Sequence, residues 1–416
     1  MRAVGAAHKL IVVGGGPAGI MAAIAAAREG ASVTLLEKNA DLGEKLLLTG
    51  KGRCNVTTSR DKREIVAAFS ETGNGRFLWD SLNQFDNNDL REFFEQRGLM
   101  LKEERGHRLF PTTDSAQSVL KLLKRELASL GVRICKRTAV HKVTKHGDLF
   151  TLHVSSGNLT ASRLILATGG KSYPQTGSTG DGFNFARKLG HHVTPLRAAL
   201  VPLESRERKI RRLQGLGLKN ITLSLWSGGQ LLTRQFGEML FTHFGISGPI
   251  VLEASRFLGR DFPGSMAAQI DFKPARSAEQ LDARLLRESV ESPHINYRTL
   301  LTHLLPKKII PLAIRETEVA AAKKISQLGR EERQRLISFL KGFRFTVSGP
   351  RPIEWAIVTA GGADLAEIEP KTMQSLVCSG LFIVGELLDL DGPTGGFNLQ
   401  MCFTTGYVAG RAAAGG

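Results

Sequence analysis

The sequence predicts an α/β protein whose nucleotide-binding domain is formed from both chain ends and is interrupted by a β-rich insertion. Three observations lead to this fold class. A βαβ unit with a glycine fingerprint opens the chain, and a buried strand and a glycine-rich turn lie near the end of the chain. The segment between them has a different pattern of apolar and polar residues. At 416 residues the chain is too long for one ordinary core, which favours two or three domains.

The first element is a βαβ unit of about thirty residues. Residues 9–13 (KLIVV) form a short apolar strand, Ile20 to Glu29 has the composition of a helix, and residues 31–38 (ASVTLLEK) form the next strand. The turn between the first strand and the helix is glycine-rich. This order of strand, glycine turn, helix and strand is typical of a dinucleotide-binding unit.

The turn carries the fingerprint Gly14-x-Gly16-x-x-Gly19. The first glycine permits the tight turn, the second lets a pyrophosphate approach the backbone, and the third lets helix and strand pack closely. The helix N-terminus offers N–H groups and the positive end of a dipole to the phosphates. Glu37 closes the second strand and would accept hydrogen bonds from an adenosine ribose. An acid there disfavours a 2′-phosphate, so the pattern predicts FAD or NAD rather than NADP.

Two later segments favour FAD over NAD. Arg163 to Gly170 (RLILATGG) is an apolar strand that ends in a turn where a second stretch of backbone can approach a nucleotide. Gly380 to Gln400 contains a buried strand ending at Gly385, then Glu386 and a glycine-rich turn that opens the last helix. A C-terminal return that completes an N-terminal Rossmann unit is the architecture of many flavoproteins, and a plain NAD domain does not need it.

The segment between these halves forms the insertion. Residues 196–262 alternate as strands do, whereas residues 277–340 show amphipathic, charge-rich helical patterns punctuated by prolines. We therefore predict an all-β piece that contains a helical piece. The predicted boundaries are 1–195 and 354–416 for the nucleotide-binding domain, 196–265 and 336–353 for the β-rich insertion, and 266–335 for the helical subdomain.

Charge and cysteine content narrow the class of protein. The net charge is +17, and 26 basic but only 14 acidic residues lie between Pro195 and Glu354. Such a surplus suggests a polyanionic partner.

The four cysteines are far apart and form no CxxC pair. This spacing predicts neither a disulfide framework nor a zinc site, and it favours a reducing, cytoplasmic setting. Leu10 to Ala27 is uncharged, but its glycines and proline argue against a membrane span or signal peptide.

Several stretches together resemble one family. They are GGGPAG, GEKLLLTGKGRCNVT, ATGGKSYPQTGSTGDG, GEMLFTHFGISGP, VTAGG and GELLDLDGPTGGFNLQ, in this order along the chain. They look like the BaiN/RdsA-type flavoproteins, a group of NAD(P)/FAD-dependent oxidoreductases, over essentially the whole chain. The resemblance implies FAD and a Rossmann-like FAD-binding domain interrupted by a β-barrel-like domain with a helical subdomain within it. Phe397 stands where members often have tyrosine.

Candidate cofactor residues follow from the fingerprint and from the resemblance. The TGGFN turn would aim backbone N–H groups at the flavin and stabilise negative charge on its reduced ring, unless its glycines serve turn geometry alone. Lys45 would neutralise a phosphate or lie exposed to solvent, and Val140 would contact adenine through its backbone. The full set is Gly14, Gly16, Pro17, Ala18, Gly19, Glu37, Lys38, Lys45, Gly52, Arg53, Cys54, Asn55, Val140, Thr168, Gly169, Gly170, Gly385, Glu386, Gly395, Gly396, Phe397, Asn398 and Leu399.

Cys54 and His243 are the candidate catalytic residues. A disulfide-type flavoprotein would carry two cysteines a few residues apart near Cys54, and only one is present. Cys54 is therefore either a proton donor beside the flavin, with a pKa lowered by Arg53 and nearby backbone N–H groups, or a structural cysteine. His243 would either exchange a proton during catalysis or hold a domain interface. No metal geometry is evident in the sequence.

The predicted activity is hydride transfer from reduced flavin to an activated C=C bond, with NAD(P)H as a transient electron donor. The resemblance offers three substrate classes: uridine in ribosomal RNA, which would become dihydrouridine; conjugated enones of steroid-like acids; and small amines. The basic insertion favours RNA, whose target base would have to be unstacked to reach the flavin. The alternatives are a small-molecule reductase or oxidase and a flavin-bearing RNA-binding protein without turnover. No membrane partner is predicted, and no oligomeric state.

Overall fold

The computed structural model describes residues 10–71, 73–259, 262 and 264–415. The chain divides into two compact units, one comprising Met1–Ala199 and Ile353–Gly416 and the other Leu200–Pro352. The first unit therefore combines the N-terminal and C-terminal parts of the chain, and the second unit is inserted between them. The predicted boundaries lay at residues 195/196 and 353/354.

Strands and helices are numbered in chain order. The strands are β1 (Leu10–Val13), β2 (Val33–Leu36), β3 (Thr57–Thr58), β4 (Leu101–Glu104), β5 (Arg108–Pro111), β6 (Arg133–Cys135), β7 (Val140–His146), β8 (Leu149–Val154), β9 (Gly157–Ala161), β10 (Arg163–Leu166), β11 (Arg197–Ala199), β12 (Leu203–Glu204), β13 (Gly217–Ser227), β14 (Gln230–Phe241), β15 (Gly245–Ser247), β16 (Met266–Asp271), β17 (Phe343–Val347), β18 (Gly349–Pro350), β19 (Val358–Ala360) and β20 (Leu381–Ile383). The helices are α1 (Pro17–Arg28), α2 (Glu44–Leu48), α3 (Lys62–Ser70), α4 (Trp79–Gln84), α5 (Asn87–Glu95), α6 (Ala116–Ser129), α7 (Asp181–Lys188), α8 (Arg208–Arg211), α9 (Pro249–Ser255), α10 (Ala278–Glu291), α11 (Tyr297–Leu304), α12 (Ile310–Thr317), α13 (Arg330–Gly342) and α14 (Phe397–Ala414).

A five-stranded parallel sheet in the order β20-β10-β1-β2-β6 organises the first unit. Its strands are short apolar runs, and β1 is buried along its whole length, as expected where helices cover both faces of a parallel sheet. Strand β20 comes from the C-terminal part of the chain and pairs with β10. The predicted α/β class, with a Rossmann-like sheet completed by the C-terminal part, is confirmed. Smaller antiparallel sheets, β3-β5-β4, β7-β8-β9 and β11-β19, complete the unit.

Helices α1 and α14 pack so closely that their contact requires glycine. A Cβ atom on Gly406 would collide with the carbonyl oxygen of Ala18, and one on Gly410 would collide with that of Ala22. Helix α1 is rich in alanine and buried over most of its length. Small side chains on both helices therefore permit the short separation, and the two parts of the chain are joined by helix packing as well as by the sheet.

The second unit contains a seven-stranded sheet in the order β17-β16-β13-β14-β15-β12-β18, in which every pairing is antiparallel. Its two outermost strands, β17 and β18, are separated in sequence only by Ser348. The edges of the sheet must therefore come together, which gives the barrel-like form that the family resemblance implies. The helices α10 to α13 share a hydrophobic core with this sheet.

The helical piece of the second unit differs from its predicted boundaries at both ends. Residues 266–271 form strand β16, which pairs with β13 and β17, although they were assigned to the helical subdomain. Helix α13 continues to Gly342, beyond the predicted end at residue 335. The sequence did not predict β16 because this six-residue strand lies just before a long helical pattern and its sheet partners are far away in sequence.

No helix in the described part of the chain has both the length and the apolar character needed to cross a membrane.

Candidate functional site

A cavity lies at the carboxyl ends of the parallel strands in the first unit, the edge where doubly wound sheets bind ligands. The loops after β1, β2, β10 and β20 form its walls, together with α2 and the start of β7. The structure thus brings together segments from positions 13 to 402. Of the predicted cofactor residues, those that line the cavity are Gly14, Gly16, Pro17, Ala18, Glu37, Lys38, Lys45, Val140, Thr168, Gly169, Gly385 and Glu386.

Each glycine of the fingerprint has the surroundings that a dinucleotide-binding loop requires. Gly14 has a φ of 109°, and a Cβ atom there would collide with the carbonyl oxygen of Ala167. A Cβ atom on Gly19 would collide with the carbonyl oxygen of Gly14. A Cβ atom on Gly16, in contrast, would meet no heavy atom within 4 Å. Gly16 therefore borders open space at the N-terminus of α1, where a pyrophosphate can approach the backbone.

Glu37 is held at the cavity wall by backbone donors. Its side chain follows β2, and the residue is 8% exposed. The carboxylate accepts hydrogen bonds from the N–H groups of Gly15 (2.7 Å) and Asn39 (2.8 Å), one to each oxygen. Each carboxylate oxygen can accept a second hydrogen bond, so a ribose hydroxyl can still bind there.

Lys45 and Glu386 form an ion pair at the cavity wall, with 2.7 Å between Nζ and Oε2. Lys45 Nζ also donates to Ser172 Oγ (2.8 Å), and Glu386 Oε1 accepts from the N–H of Thr359 (2.8 Å). The side chain of Lys45 is 22% exposed and its ammonium is paired, which disfavours simple solvent exposure; its contact with a phosphate remains a prediction. The pair connects α2 to the segment after β20, and Gly170 lies directly beside Glu386 Oε1.

Two buried polar atoms test whether the residues present fit FAD. Thr168 Oγ1 and Asn55 Oδ1 are buried and have no hydrogen-bond partner among the described residues. An unsatisfied buried polar group costs about 1–3 kcal/mol, so such oxygens are suited to bind a polar cofactor group. Thr168 lines the cavity directly. With the open space at Gly16 and the acceptor at Glu37, the residues fit the ADP half of FAD.

The turn before α14 is shaped by contacts of its own. A Cβ atom on Gly396 would collide with the backbone of Thr57. The side-chain amide of Asn398 exchanges hydrogen bonds with the backbone N–H and carbonyl of Gly392, both at 2.9 Å. This geometry places Gly395, Gly396, Phe397, Asn398 and Leu399 at the N-terminus of α14, outside the set that lines the cavity. Their contacts with a flavin remain predictions.

The structure does not bring Arg53 to the cavity. Its guanidinium forms two hydrogen bonds to Glu104, at 2.8 and 2.9 Å, and a third to Asp114 at 3.1 Å. It also stacks on the ring of Phe110, with 4.0 Å from its central carbon to the ring centroid. Gly52, which precedes it, belongs to the same tight turn and is exposed.

Cys54 is fully buried, with 0% exposure and a φ of 62°. Burial raises the pKa of its thiol to about 12, and the hydrogen bond to Thr49 lowers it only in part. The prediction of a lowered thiol pKa is therefore wrong, because the charge of Arg53 is directed at Glu104 and Asp114. Cys54 does not line the cavity, so the structural alternative for this residue is favoured.

His243 lies in the second unit, on the turn between β14 and β15. It is exposed, and its ring packs edge-on against Phe244, with 5.0 Å between the ring centroids. Its role in proton transfer remains a prediction. In the described part of the chain, no group of three or more His, Cys, Asp or Glu side chains is arranged to hold a metal ion.

Sequence reasoning missed several residues of the site. Ser172 donates a hydrogen bond to Glu386 Oε1 (3.0 Å), and Thr359 supplies a backbone donor to the same oxygen. Cys402 lines the cavity from α14, and burial together with the nearby Glu386 raises its pKa to about 12. Ser172 and Thr359 occur in the ATGGKS and VTAGG stretches, which carried a signal for the family but none for these contacts.

Comparison with known proteins places this chain in a family. Residues 8–412 match the family model described as HI0933-like protein Rossmann domain. The chain belongs to this HI0933-like family. It is 34% identical over 411 residues to the 3-dehydro-bile acid delta(4,6)-reductase of Clostridium scindens, covering 98% of this chain and 99% of that one. It is 32% identical over 404 residues to the ribosomal RNA dihydrouridine synthase of Haemophilus influenzae, covering 96% of each.

A solved flavoprotein structure shares the fold of this HI0933-like chain. The open conformation of a flavocytochrome c3 fumarate reductase superposes with a TM-score of 0.53 at 17% identity, covering 99% of this chain and 79% of that one. At this identity the likeness concerns the fold alone. The predicted class is confirmed by the family and by the relatives named above: the chain is an FAD-dependent oxidoreductase.

Proposed function

We propose that this HI0933-like oxidoreductase reduces a C=C bond conjugated to a carbonyl group, and that its substrate is a uridine of ribosomal RNA. Two relatives support the reaction class. One is named for reduction of a 3-dehydro-bile acid and the other for synthesis of dihydrouridine. The 5,6 double bond of uracil is conjugated to its C4 carbonyl, as an enone is. The two substrates therefore require the same chemistry in molecules of very different size and charge.

The residues of the chain have to hold the cofactor and move one proton. Bound FAD would supply the hydride from its reduced flavin, with NAD(P)H as the proposed electron donor. The backbone at Gly16 would hold the pyrophosphate, and Glu37 would hold the adenosine ribose. The second carbon of the double bond needs a proton from an acid. Cys54 is unsuited to this because its thiol is fully buried and burial raises its pKa to about 12. The exposed His243 is the remaining proposed donor.

The observation that carries the RNA proposal is the charge of the second unit. Its sequence contains 25 Lys and Arg against 14 Asp and Glu, whereas the rest of the chain contains 31 against 25. Most of the net charge of +17 therefore lies in the second unit, none of whose described residues lines the cavity. Lys and Arg contacts to phosphates supply affinity that depends strongly on salt, as binding to a polyanion such as ribosomal RNA requires.

The test is mass spectrometry of nucleosides from large-subunit ribosomal RNA, with and without the gene. We expect one dihydrouridine to disappear on deletion and to return when purified holoprotein and NADH or NADPH are added. A His243→Ala variant that keeps its flavin tests whether His243 is the proton donor. If that variant restores dihydrouridine as fast as the parent, His243 is not the proton donor.

A small-molecule enone reductase is the second candidate, favoured by the 34% identity to the bile-acid reductase. It predicts unchanged RNA and reoxidation of the reduced flavin by a 3-oxo-Δ4 steroid acid. An amine oxidase would instead reduce the flavin when an amine is added. Flavin-loaded protein that binds RNA but forms no dihydrouridine would indicate an RNA-binding protein without turnover.

A further inference from the structure

We propose that one exposed surface of the second unit binds the phosphate backbone of RNA. This surface, the arginine surface, is defined by Arg206, Arg208, Arg211, Arg212, Lys307 and Lys308, all of which are exposed. The proposal rests on the proposed function for the identity of the partner, and it adds the place where that partner is held.

The short helix α8 fixes the orientation of the arginine surface. Ile210 is 0% exposed and anchors the helix in the core of the second unit. Lys209 turns toward Glu207 and Glu316, with nitrogen–oxygen distances of 3.5 and 3.6 Å, and its ammonium lies 5.3 Å from the centre of the Phe343 ring. Because these two side chains point into the unit, their neighbours Arg208 and Arg211 are directed outward.

The two lysines are connected to this segment by a direct contact. Lys308 Nζ donates a hydrogen bond to the backbone carbonyl of Gln214, two residues after Arg212. Arg211 Nε donates to the backbone carbonyl of Ser205 at 3.1 Å, which uses one of the five donors of its guanidinium. The six basic residues thus come from two segments that touch, rather than from scattered positions.

The charge of the arginine surface is not neutralised within the unit. Among the described residues, no ion pair involves Arg206, Arg208 or Arg212. Several other basic side chains of the unit are paired, as Arg284 is with Glu288 and Arg333 with Asp282. Exposed arginines without an ion pair among the described residues also occur elsewhere, as Arg298 and Arg330 do, but the arginine surface gathers several basic side chains in two touching segments. A guanidinium can bind two oxygens of one phosphate, so several of them side by side are suited to a phosphate chain.

The surroundings favour RNA over a membrane surface. Helices that lie on a bilayer insert an apolar face. No large apolar side chain is exposed between residues 205 and 219 of the described chain, and the apolar Ile210 and Leu213 face the core. Leu240, which pairs with Gly217, is 41% exposed, but it lies on a strand and forms no apolar helix face. A surface of arginines whose own segment exposes no large apolar side chain is suited to phosphates that stay in water, as those of RNA do.

The experiment compares two double charge reversals in the holoprotein. Arg208→Glu/Arg212→Glu changes the arginine surface. Arg298→Glu/Arg330→Glu makes the same charge change at two exposed arginines on α11 and α13 that form no ion pair with any described residue. Affinity for an unmodified large-subunit ribosomal RNA transcript is measured by filter binding at several salt concentrations. We expect the first variant to lose roughly tenfold in affinity and its salt slope to fall by about 2, and the second to change far less.

Bound-flavin absorbance and melting temperature report whether each variant is folded. Equal losses in the two variants, unchanged RNA affinity in the first, or no RNA binding by the parent protein would overturn the proposal. Loss of binding to phosphatidylglycerol vesicles without loss of RNA binding would identify a membrane surface instead. A different result would contradict the proposed function alone. If RNA binding depends on the arginine surface but no dihydrouridine forms, the binding surface is supported and the proposed reaction is not.

Discussion

At the scale of single residues, Arg53 and Cys54 are neighbours in the sequence with opposite surroundings. The GKGRCN stretch predicted a charged neighbour that lowers a thiol pKa. The guanidinium instead pairs with Glu104, 51 positions along the chain, and the thiol is fully buried. A sequence pattern can identify the segment as part of a family, but it cannot show where a long side chain finds its partner. The same holds for Lys45, whose partner Glu386 is 341 residues away.

Replacing Cys54 by alanine should leave turnover within about twofold and lower the free energy of unfolding by roughly 1–2 kcal/mol, because a small buried group is lost. The measurements are NAD(P)H oxidation with saturating FAD and urea unfolding. A loss of more than 100-fold in turnover, with normal flavin content, would contradict this prediction and indicate a catalytic role for Cys54.

The raised pKa of Cys54 predicts a dependence of stability on alkaline pH. The folded thiol has a pKa of about 12 and the ordinary value is 9.0, so between these limits the unfolded chain loses a proton that the folded chain keeps. Stability should therefore fall as pH rises through this range, by up to about 1.4 kcal/mol per pH unit from this group. Urea unfolding at pH 8, 9.5 and 10.5 measures it. Because lysines and tyrosines also titrate, the decisive quantity is the difference in slope from Cys54→Ala, and identical slopes would contradict the prediction.

Glu37 offers a direct test of the adenosine site. Glu37→Gln keeps the shape of the side chain but removes the charge and one of the two acceptors that hold Gly15 and Asn39. We expect FAD affinity to fall by roughly 10–100-fold, since hydrogen bonds to a charged group contribute about 1.5–3 kcal/mol. Fluorescence titration of the apoprotein with FAD measures it, with Glu331→Gln, an exposed acid of the second unit, as control. Equal affinities would place the ribose elsewhere.

At the scale of elements, the pattern of the βαβ unit predicted β1, α1 and β2 well because each depends on local apolar periodicity. The strand β16 was missed because it is short and its pairing with β13 and β17 involves distant residues. The glycines of α14 are a related case. Glycine has a low helix propensity, so Gly406 and Gly410 alone would be expected to weaken the helix. Only the structure shows that α1 packs directly against them.

Gly410→Ala should therefore destabilise the protein despite the better helix propensity of alanine. The added methyl group would collide with the carbonyl oxygen of Ala22, and overpacking of this kind costs about 1–3 kcal/mol. Gly415→Ala is the matched control, because a Cβ atom there meets only the carbonyl oxygen of Arg411, at 3.6 Å. Thermal unfolding of both variants decides the matter, and an unchanged melting temperature for Gly410→Ala would show that the helices separate easily.

At the scale of the whole molecule, the composition predicted the division into a nucleotide-binding part and a basic insertion. Strands β11 and β19 of the first unit lie on either side of the insertion in the sequence. They pair with each other, and Ala199 of β11 lies opposite Val358 of β19. Paired residues of an antiparallel ladder have Cα atoms about 4.5–5.5 Å apart. The first unit therefore closes on itself at the points where the chain leaves and returns.

This closure predicts that the first unit folds without the second. Replacing residues 200–352 by a short Gly-Ser linker should yield a soluble protein that binds FAD, because the cavity is lined by the first unit alone. The measurements are flavin absorbance after gel filtration and FAD titration against the full chain. The shortened protein should have lost RNA affinity with the arginine surface. Insoluble or flavin-free protein would contradict the independence of the first unit.

The pairing of α1 with α14 also determines the order in which the protein is completed during translation. Helix α1 leaves the ribosome early, but the helix that covers it, α14, is synthesised much later, after the whole inserted unit. The inserted unit is fully synthesised well before that, and domains generally fold as units as they emerge. Each nascent chain therefore carries an apolar helix without its cover until α14 has been synthesised. A chain stopped before Phe397 lacks this cover and the cavity-lining Cys402, so we expect premature termination to yield a product that binds FAD poorly.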